Sequence, residues 1–374
     1  MTISSIKTGT VSEFRLGYRP ELDALRGIAA VLVFLNHTNV PGFRGGFMGV
    51  DIFFGLSGFL ITLLLLEEFR DRAMVDVRKF FIRRFRRLLP AFAVFCGICL
   101  VLSIIRFTGP KRKETVESLV SSVLYVRNWF QIATNKGVDG FAQPHLWSLA
   151  VEEQFYVVWP LVFGLALKFL SKRLVLVGAG VLWCLSLGVA LLVNNGNQNQ
   201  PRQYLGTDVR GAQILGGVVL AIGLHYGWIG LLKRWWQVIV LLVPIPLLLA
   251  WSNFRAAQFF DFYYGGGIAV VGFVVAGLLW AAISLPGGVK RLASFGPIKL
   301  LGSISYSFYL WHVFALNVLS PNSEFHFEWL YIDRWIVRTV AAFGLSVGIA
   351  LLSQRFVERP ASRWFKSANI RPHR

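Results

Sequence analysis

Charge is scarce in this chain, and negative charge is scarcer. Of 374 residues only 15% are charged, with 19 Asp and Glu against 38 Lys and Arg. A soluble globular domain carries roughly a quarter charged residues, so the composition argues against a water-soluble enzyme. Cysteine is almost missing: Cys96, Cys99 and Cys184 are all there is. CGIC at 96–99 has redox spacing, but it sits inside the apolar run AFAVFCGICLVLSII and not at a strand-to-helix turn. Its cysteines therefore read as small residues facing lipid or another helix. No cluster of Cys, His, Asp and Glu has metal-ligand spacing, so no metal is expected. The first 20 residues, MTISSIKTGTVSEFRLGYRP, lack the apolar core of a signal peptide. The first span is expected to serve as its own insertion signal. There is no internal repeat, low-complexity tract or soluble domain.

Apolar sequence is abundant instead. Hydrophobic residues make up 55% of the chain, and the mean hydropathy is +0.58. Runs near the bilayer-spanning length of about 20 residues recur throughout. They predict an all-α, polytopic membrane protein with about ten transmembrane helices, near residues 22–39, 49–67, 89–107, 146–170, 174–193, 209–226, 237–251, 265–284, 300–319 and 335–354. The seventh is short and holds Pro244 and Pro246, which predicts a broken or tilted helix. YYGGG at 263–267 marks the turn into the eighth. One domain is expected over 1–374: a cytoplasmic segment 1–21, a helical bundle 22–354 and a basic cytoplasmic tail 355–374. The net charge of +19 is read as loop charge that sets orientation, not as a nucleic-acid signal. It places both termini on the cytoplasmic side, with RDRAMVDVRKFFIRRFRRLLP as the strongest basic loop and 108–143 as the longest outer loop.

The first span raises a question of its own. RGIAAVLVFLNH begins with Arg26 and ends with His37. Ionisable groups in lipid must be paired or face a wet cavity. Eleven residues at 100° each bring both side chains to nearly the same face, about 16 Å apart along the axis. Two readings stay open on spacing alone. Arg26 pairs with Asp23 one turn earlier while His37 caps the outer end. Or the two residues line one ligand slot, with a cation at its mouth and an imidazole suited to proton transfer deep inside.

Seven stretches together resemble the acyltransferase-3 family, integral membrane enzymes that acylate sugars and other hydroxyl-bearing acceptors. RPELDALRGIAAVLVFLNH is similar to the family's opening motif, and GGFMGVDIFFGLSGFLIT to its second-helix signature. RKFFIRRFRRLLP resembles its basic loop, with Arg83, Arg84 and Arg87 at the usual offsets. HLWSLAVEEQFYVVWP, YLGTDVRGAQILGG, SISYSFYLWH and FVERP are similar to the later ones, in family order. The resemblance implies an acyl-CoA donor, usually acetyl-CoA, arriving from the cytoplasmic side as a co-substrate, with no permanently bound cofactor. It implies a saccharide or other hydroxyl acceptor, often on the outer side, and residence in a bacterial cytoplasmic membrane. The chain is expected to be the form without a fused outer hydrolase-like domain.

With that resemblance, residues take roles. Arg26, Arg83, Arg84 and Arg87 are expected to grip the nucleotide end of the donor, because a guanidinium fork suits phosphate. His37 is the expected base or transient acyl carrier. On the fourth span His145, Ser148, Glu152 and Tyr156 recur at spacings of three and four, on one polar face. Glu152 is chosen over Glu153 as the buried carboxylate that would orient His37. Ser57, Tyr309 and backbone amides near Gly55 and Gly58 are candidate oxyanion donors. Ser148 on the fourth span is a further candidate oxyanion or acceptor contact. Ser305, Tyr309 and His312 share a face of the ninth span, and His312 is the rival base. Asp208 and Arg210 either contact the acceptor or pair with each other. His225, His326 and His373 receive no role. The alternative function is a proton- or anion-coupled transporter using the same buried groups.

Overall fold

Apolar runs in lipid must satisfy every backbone N–H and C=O internally, and a helix does so within one segment. The computed structural model describes residues 14–15, 17–134, 144–193, 200–321, 323 and 332–368, and among these no strand occurs. His326 and His373 lie outside the described residues. The helices are α1 (Pro20–His37), α2 (Gly49–Arg72), α3 (Val77–Arg106), α4 (Gly109–Val123), α5 (Arg127–Thr134), α6 (Leu146–Phe169), α7 (Lys172–Leu192), α8 (Gln200–Leu205) and α9 (Thr207–His225). They continue with α10 (Arg234–Leu242), α11 (Pro244–Phe254), α12 (Ala256–Phe262), α13 (Ile268–Ile283), α14 (Gly287–Ala293), α15 (Gly296–Leu319), α16 (Trp335–Ser353) and α17 (Arg359–Ala368).

Every expected span coincides with a helix. Eight helical stretches among the described residues are long and apolar enough to cross a membrane by length and composition. The chain is an integral, multi-pass membrane protein. The two remaining long helices are α1, with Glu21, Asp23 and Arg26 in its first half, and α15, diluted by Ser, Tyr and His. The seventh span is broken as expected: α10 stops before Val243 and Pro244 opens α11. YYGGG is not a simple turn. It is a wide helical turn with Gly266 at φ 108°, so helix runs from Ala256 to Ile283 almost without interruption.

Two expected loops are helical instead. The basic stretch 77–88 is the first third of α3, started by Asp76, whose side chain accepts from the Lys79 backbone N–H at 2.8 Å. Arginine is a good helix former, and its long stem can cover apolar surface while the charge reaches out. The described part of 108–143 forms α4 and α5.

Burial orders the bundle from inside to outside. In the apolar stretch of α2, 78% of residues are buried, against 17% across α10 and α11. The central helices α2, α9 and α13 share one hydrophobic core with much of α6. Large apolar side chains of α3, α7 and α16 face outward, as lipid contact requires. Small residues let backbones touch at the centre. A Cβ on Gly58 would lie 1.9 Å from the Ile214 carbonyl of α9, and one on Gly302 of α15 would lie 2.3 Å from the Asp23 carbonyl of α1. The second contact sets α15 directly beside α1, which places Tyr309 and His312 next to Val33 and His37. Cys96 and Cys99 are free, buried beside Phe92 and Phe95 of α3 and Trp311 of α15.

Candidate functional site

A cavity of about 300 Å³ opens between α1, α2, α3, α6 and α15. On α2 its lining runs from Val50 to Leu64, roughly 20 Å at 1.5 Å per residue. It is therefore a slot rather than a sphere, basic at the α1 N-terminal end.

Arg26, Arg84 and Arg87 line that basic end. Arg84, Arg87 and Leu88 fall at i, i+3 and i+4, so one face of α3 meets the cavity. Arg83 is 100° away and does not line it. Its guanidinium is half-exposed and bonds Glu68 at 3.1 Å. The expectation that Arg83 joins the cluster is thus corrected by the helicity of the basic stretch. Among the described residues no carboxylate forms an ion pair with Arg26, Arg84 or Arg87. Asp23 lines the same cavity but does not pair with Arg26. The Arg84 guanidinium instead lies 3.5 Å above the Tyr156 ring, a cation–π contact.

The middle of the slot carries the carboxylates. Glu152 accepts from Ser57 Oγ at 3.1 Å and from Tyr156 Oη at 3.2 Å, and those two hydroxyls are 2.5 Å apart. Glu152 is satisfied by hydroxyls and has no bond to His37, so it is not the group that orients His37. Glu153, assigned by periodicity to the other face, also lines the cavity and is the more buried of the two. The slot lies against two edges of α6, so both residues reach it.

At the far end the slot stops at Tyr309, Ser148 and Val50. Tyr309 and Ser148 hydroxyls are 2.6 Å apart, and Tyr309 also donates to the His145 carbonyl at 3.2 Å. Phe53 meets the Tyr309 ring edge-on at 5.7 Å. His37 does not line the slot. It is exposed at the end of α1, where its Nδ1 bonds the Val33 carbonyl at 2.8 Å. Between Arg26 and His37, α1 buries Ala30 and Phe34 against Ile304 and Phe308, which closes the continuous groove that spacing alone predicts. His37 instead joins a cluster of rings. Its centroid is 5.0 Å from His312, which is 5.0 Å from His145, and His145 lies 5.3 Å from Tyr309. A single layer of aromatic and imidazole rings therefore separates the slot from His37.

Other candidates fall elsewhere. Asp208 and Arg210 do not pair with each other. Asp208 takes a bidentate bond from Arg202 at 2.6 and 2.5 Å. Arg210 is fully buried, bonded to Asp51 at 2.7 Å, to Tyr263 at 2.9 Å and to the Tyr204 carbonyl. It ties α9 to α2 and to the wide turn that precedes α13. Gly55 and Gly58 lie inside α2, where backbone N–H groups are spent on the helix; they are packing glycines against Val275 and Ile214, not oxyanion donors. His225 is buried beside Tyr226. Sequence reasoning passed over Asp51, Phe53, Glu153 and Tyr306. Asp51 had a signal: it is the lone acid in a long apolar run.

Residues 19–353 match the acyltransferase-3 family, described as an acyltransferase domain. The chain is 32% identical over 357 residues to the peptidoglycan O-acetyltransferase OatA of Listeria monocytogenes, covering 92% of this chain and 56% of that protein. It is 31% identical to the O-acetyltransferase OatA of Staphylococcus aureus, covering 92% of this chain and 57% of that one. The chain thus spans a little over half the length of these relatives. No solved structure matches it.

Proposed function

The chain belongs to the acyltransferase-3 family, and from that premise we propose that it is a membrane O-acyltransferase that moves an acetyl group from acetyl-CoA to a hydroxyl of a saccharide of the cell envelope. The observation that carries the reading is the slot itself. Among the described residues the guanidiniums at one end have no ion-pair partner, and there the phosphates of the donor's nucleotide would be gripped by bidentate bonds. A layer of hydroxyls and imidazoles closes the other end. The lining of the slot along α2, roughly 20 Å from Val50 to Leu64, is of the order of an extended pantetheine arm.

In this reading the donor enters at Arg26, Arg84 and Arg87, from the cytoplasmic side of a bacterial inner membrane with both termini on that side. Its arm lies along α2. The thioester comes to rest beside Ser148 and Tyr309, and the rings of Tyr309, His145 and His312 that lie between it and His37 must part for the acyl carbon to meet the acceptor. The acceptor comes to His37 from the opposite, exposed side. His37 Nδ1 bonds a carbonyl, which can only accept, so that nitrogen carries the hydrogen and Nε2 holds a lone pair. That lone pair takes the acceptor proton. The peptidoglycan in the name of the Listeria relative makes a glycan the first acceptor class to try.

The test needs no acceptor. Purified protein in detergent is given acetyl-CoA, and free thiol is followed as water slowly replaces the acceptor. Turnover that disappears in His37→Ala supports the reading. No turnover together with no acetyl-CoA binding removes it and favours the transporter.

A further inference from the structure

Two polar side chains in the slot stand without partners. Glu153 of α6 is 8% exposed and Ser305 of α15 is 1% exposed, and both line the cavity. Among the described residues neither forms a hydrogen bond or an ion pair. Buried polar groups are nearly always bonded, and a buried carboxyl group without a partner is costly. Helical serines elsewhere bond back to a carbonyl three or four residues earlier, as Ser103, Ser122 and Ser346 do. Ser305 does not.

Their depths in the slot agree. α6 runs from the closed end toward the basic one, with Ser148 bonded to Tyr309 and Tyr156 under Arg84. α15 runs the other way, from Gly302 against Asp23 to Tyr309 at the closed end. Glu153 is five residues past Ser148, and Ser305 is four before Tyr309. Both therefore sit about 6–8 Å from the closed end, toward the arginines. They belong to different helices, so one group lying in the slot can meet both.

An acetylated pantetheine arm has such a group. Four bonds join its thioester carbonyl carbon to the nearest amide nitrogen, about 5 Å when extended. A trans amide points its N–H and its C=O to opposite sides, and once buried it needs an acceptor for one and a donor for the other. A carboxyl group offers an accepting oxygen in either protonation state, and a serine hydroxyl can donate. Glu152, by contrast, already accepts from Ser57 and Tyr156.

We propose that Glu153 and Ser305 form a site that reads the amide of the donor arm nearest the thioester. Glu153 accepts its N–H, and Ser305 donates to its C=O. This rests on the acyltransferase reading above and deepens it: the donor class is acyl thioesters of cysteamine amides, and a thioester whose arm lacks the N–H is rejected. A site built to bond a substrate N–H discriminates strongly against the isostere without it, because its own polar group is then left unpaired.

The experiment uses two small competitors of acetyl-CoA. One is S-acetyl-N-acetylcysteamine; the other is the O-acetyl, S-acetyl diester of mercaptoethanol, with an ester oxygen in place of the N–H. Release of CoA from acetyl-CoA is followed chromatographically while each is added to wild type, Glu153→Leu, Glu153→Gln and Ser305→Ala. Wild type is expected to bind the amide about tenfold or more tightly than the ester. Glu153→Leu is expected to bring that ratio within about twofold of one, and Glu153→Gln, whose amide oxygen still accepts, to keep most of it. Ser305→Ala removes a donor to a carbonyl that both competitors carry, so it should raise the KM for acetyl-CoA about threefold or more and leave the ratio standing. A purely structural role for Glu153 would weaken both competitors alike. No preference for the amide in wild type, a ratio unmoved in Glu153→Leu, or a wild-type KM in Ser305→Ala overturns the inference and leaves the acyltransferase reading intact. No release of CoA by wild type removes both.

Discussion

Glu152, Tyr156 and Arg84 show how one side chain can do different work from the one its spacing suggests. The 3.6-residue period correctly gathers His145, Ser148, Glu152 and Tyr156 on one face of α6. It cannot say which neighbour each will meet. Glu152 meets Ser57 and Tyr156, and the Tyr156 ring carries Arg84. The carboxylate therefore lines the slot and does not touch His37. Glu152→Gln is expected to keep His37 in place yet slow thiol release about tenfold, because the amide places a donor where two hydroxyls already donate. Full turnover in that variant would refute a role for the carboxylate. Tyr156→Phe keeps the ring under Arg84 and is expected to hold KM for acetyl-CoA within about threefold. Tyr156→Leu removes the ring, and a cation–π contact worth about 1–2 kcal/mol predicts a KM some five- to thirtyfold higher. Equal KM in the two variants would show that the contact does not position Arg84 for the donor.

At the scale of helices, three glycines acquire a physical reason, two of them, Gly49 and Gly58, in a stretch quoted for the family resemblance. Gly49, Gly58 and Gly302 each sit where a Cβ would strike a neighbouring backbone carbonyl, at 2.3, 1.9 and 2.3 Å. Gly58→Leu is expected to push α2 from α9 and lower the thermal midpoint in detergent sharply, whereas Gly178→Leu, with open space around it, should leave it within a degree or two. The buried Arg210–Asp51 pair belongs to the same scale. Removing one partner leaves a charge in apolar surroundings, and Asp51→Leu is expected to destabilise by about 3–5 kcal/mol. A midpoint equal to wild type would mean the pair contributes nothing to the join of α2 and α9. The spans themselves were legible in the sequence because about 20 apolar residues in lipid have few other solutions. The helicity of 77–88 was not, since a run of arginines looks like a loop until its stems are seen to lie against the bundle. The separation of His37 from the slot was not legible either. Arg26 and His37 do share a face, but whether space continues along a face depends on what other helices insert there, here Tyr309, Ile304 and Phe308.

For the molecule as a whole, the proposed orientation puts the two ends on opposite sides of the membrane, with donor entry at the basic end and acceptor approach at His37. Single cysteines placed in a version lacking the three native ones are expected to report this. A cysteine at Arg72, the exposed last residue of α2 on the basic side, should react with a membrane-impermeant maleimide only after cells are opened. One at Arg44, exposed near the end of α1, should react in intact cells. Labelling of both from the same side would break the proposed topology. The most direct measurement of the central claim separates the two ends kinetically. Thiol release is followed over a range of acetyl-CoA concentrations for wild type, for Arg84→Gln with Arg87→Gln, and for His37→Ala. The arginine variant is expected to raise KM at least tenfold with kcat largely kept, and His37→Ala to abolish kcat while acetyl-CoA still binds with near wild-type affinity. If removing the arginines leaves KM unchanged, or if His37→Ala loses donor binding and keeps turnover per bound donor, the slot is not the donor site and the account fails.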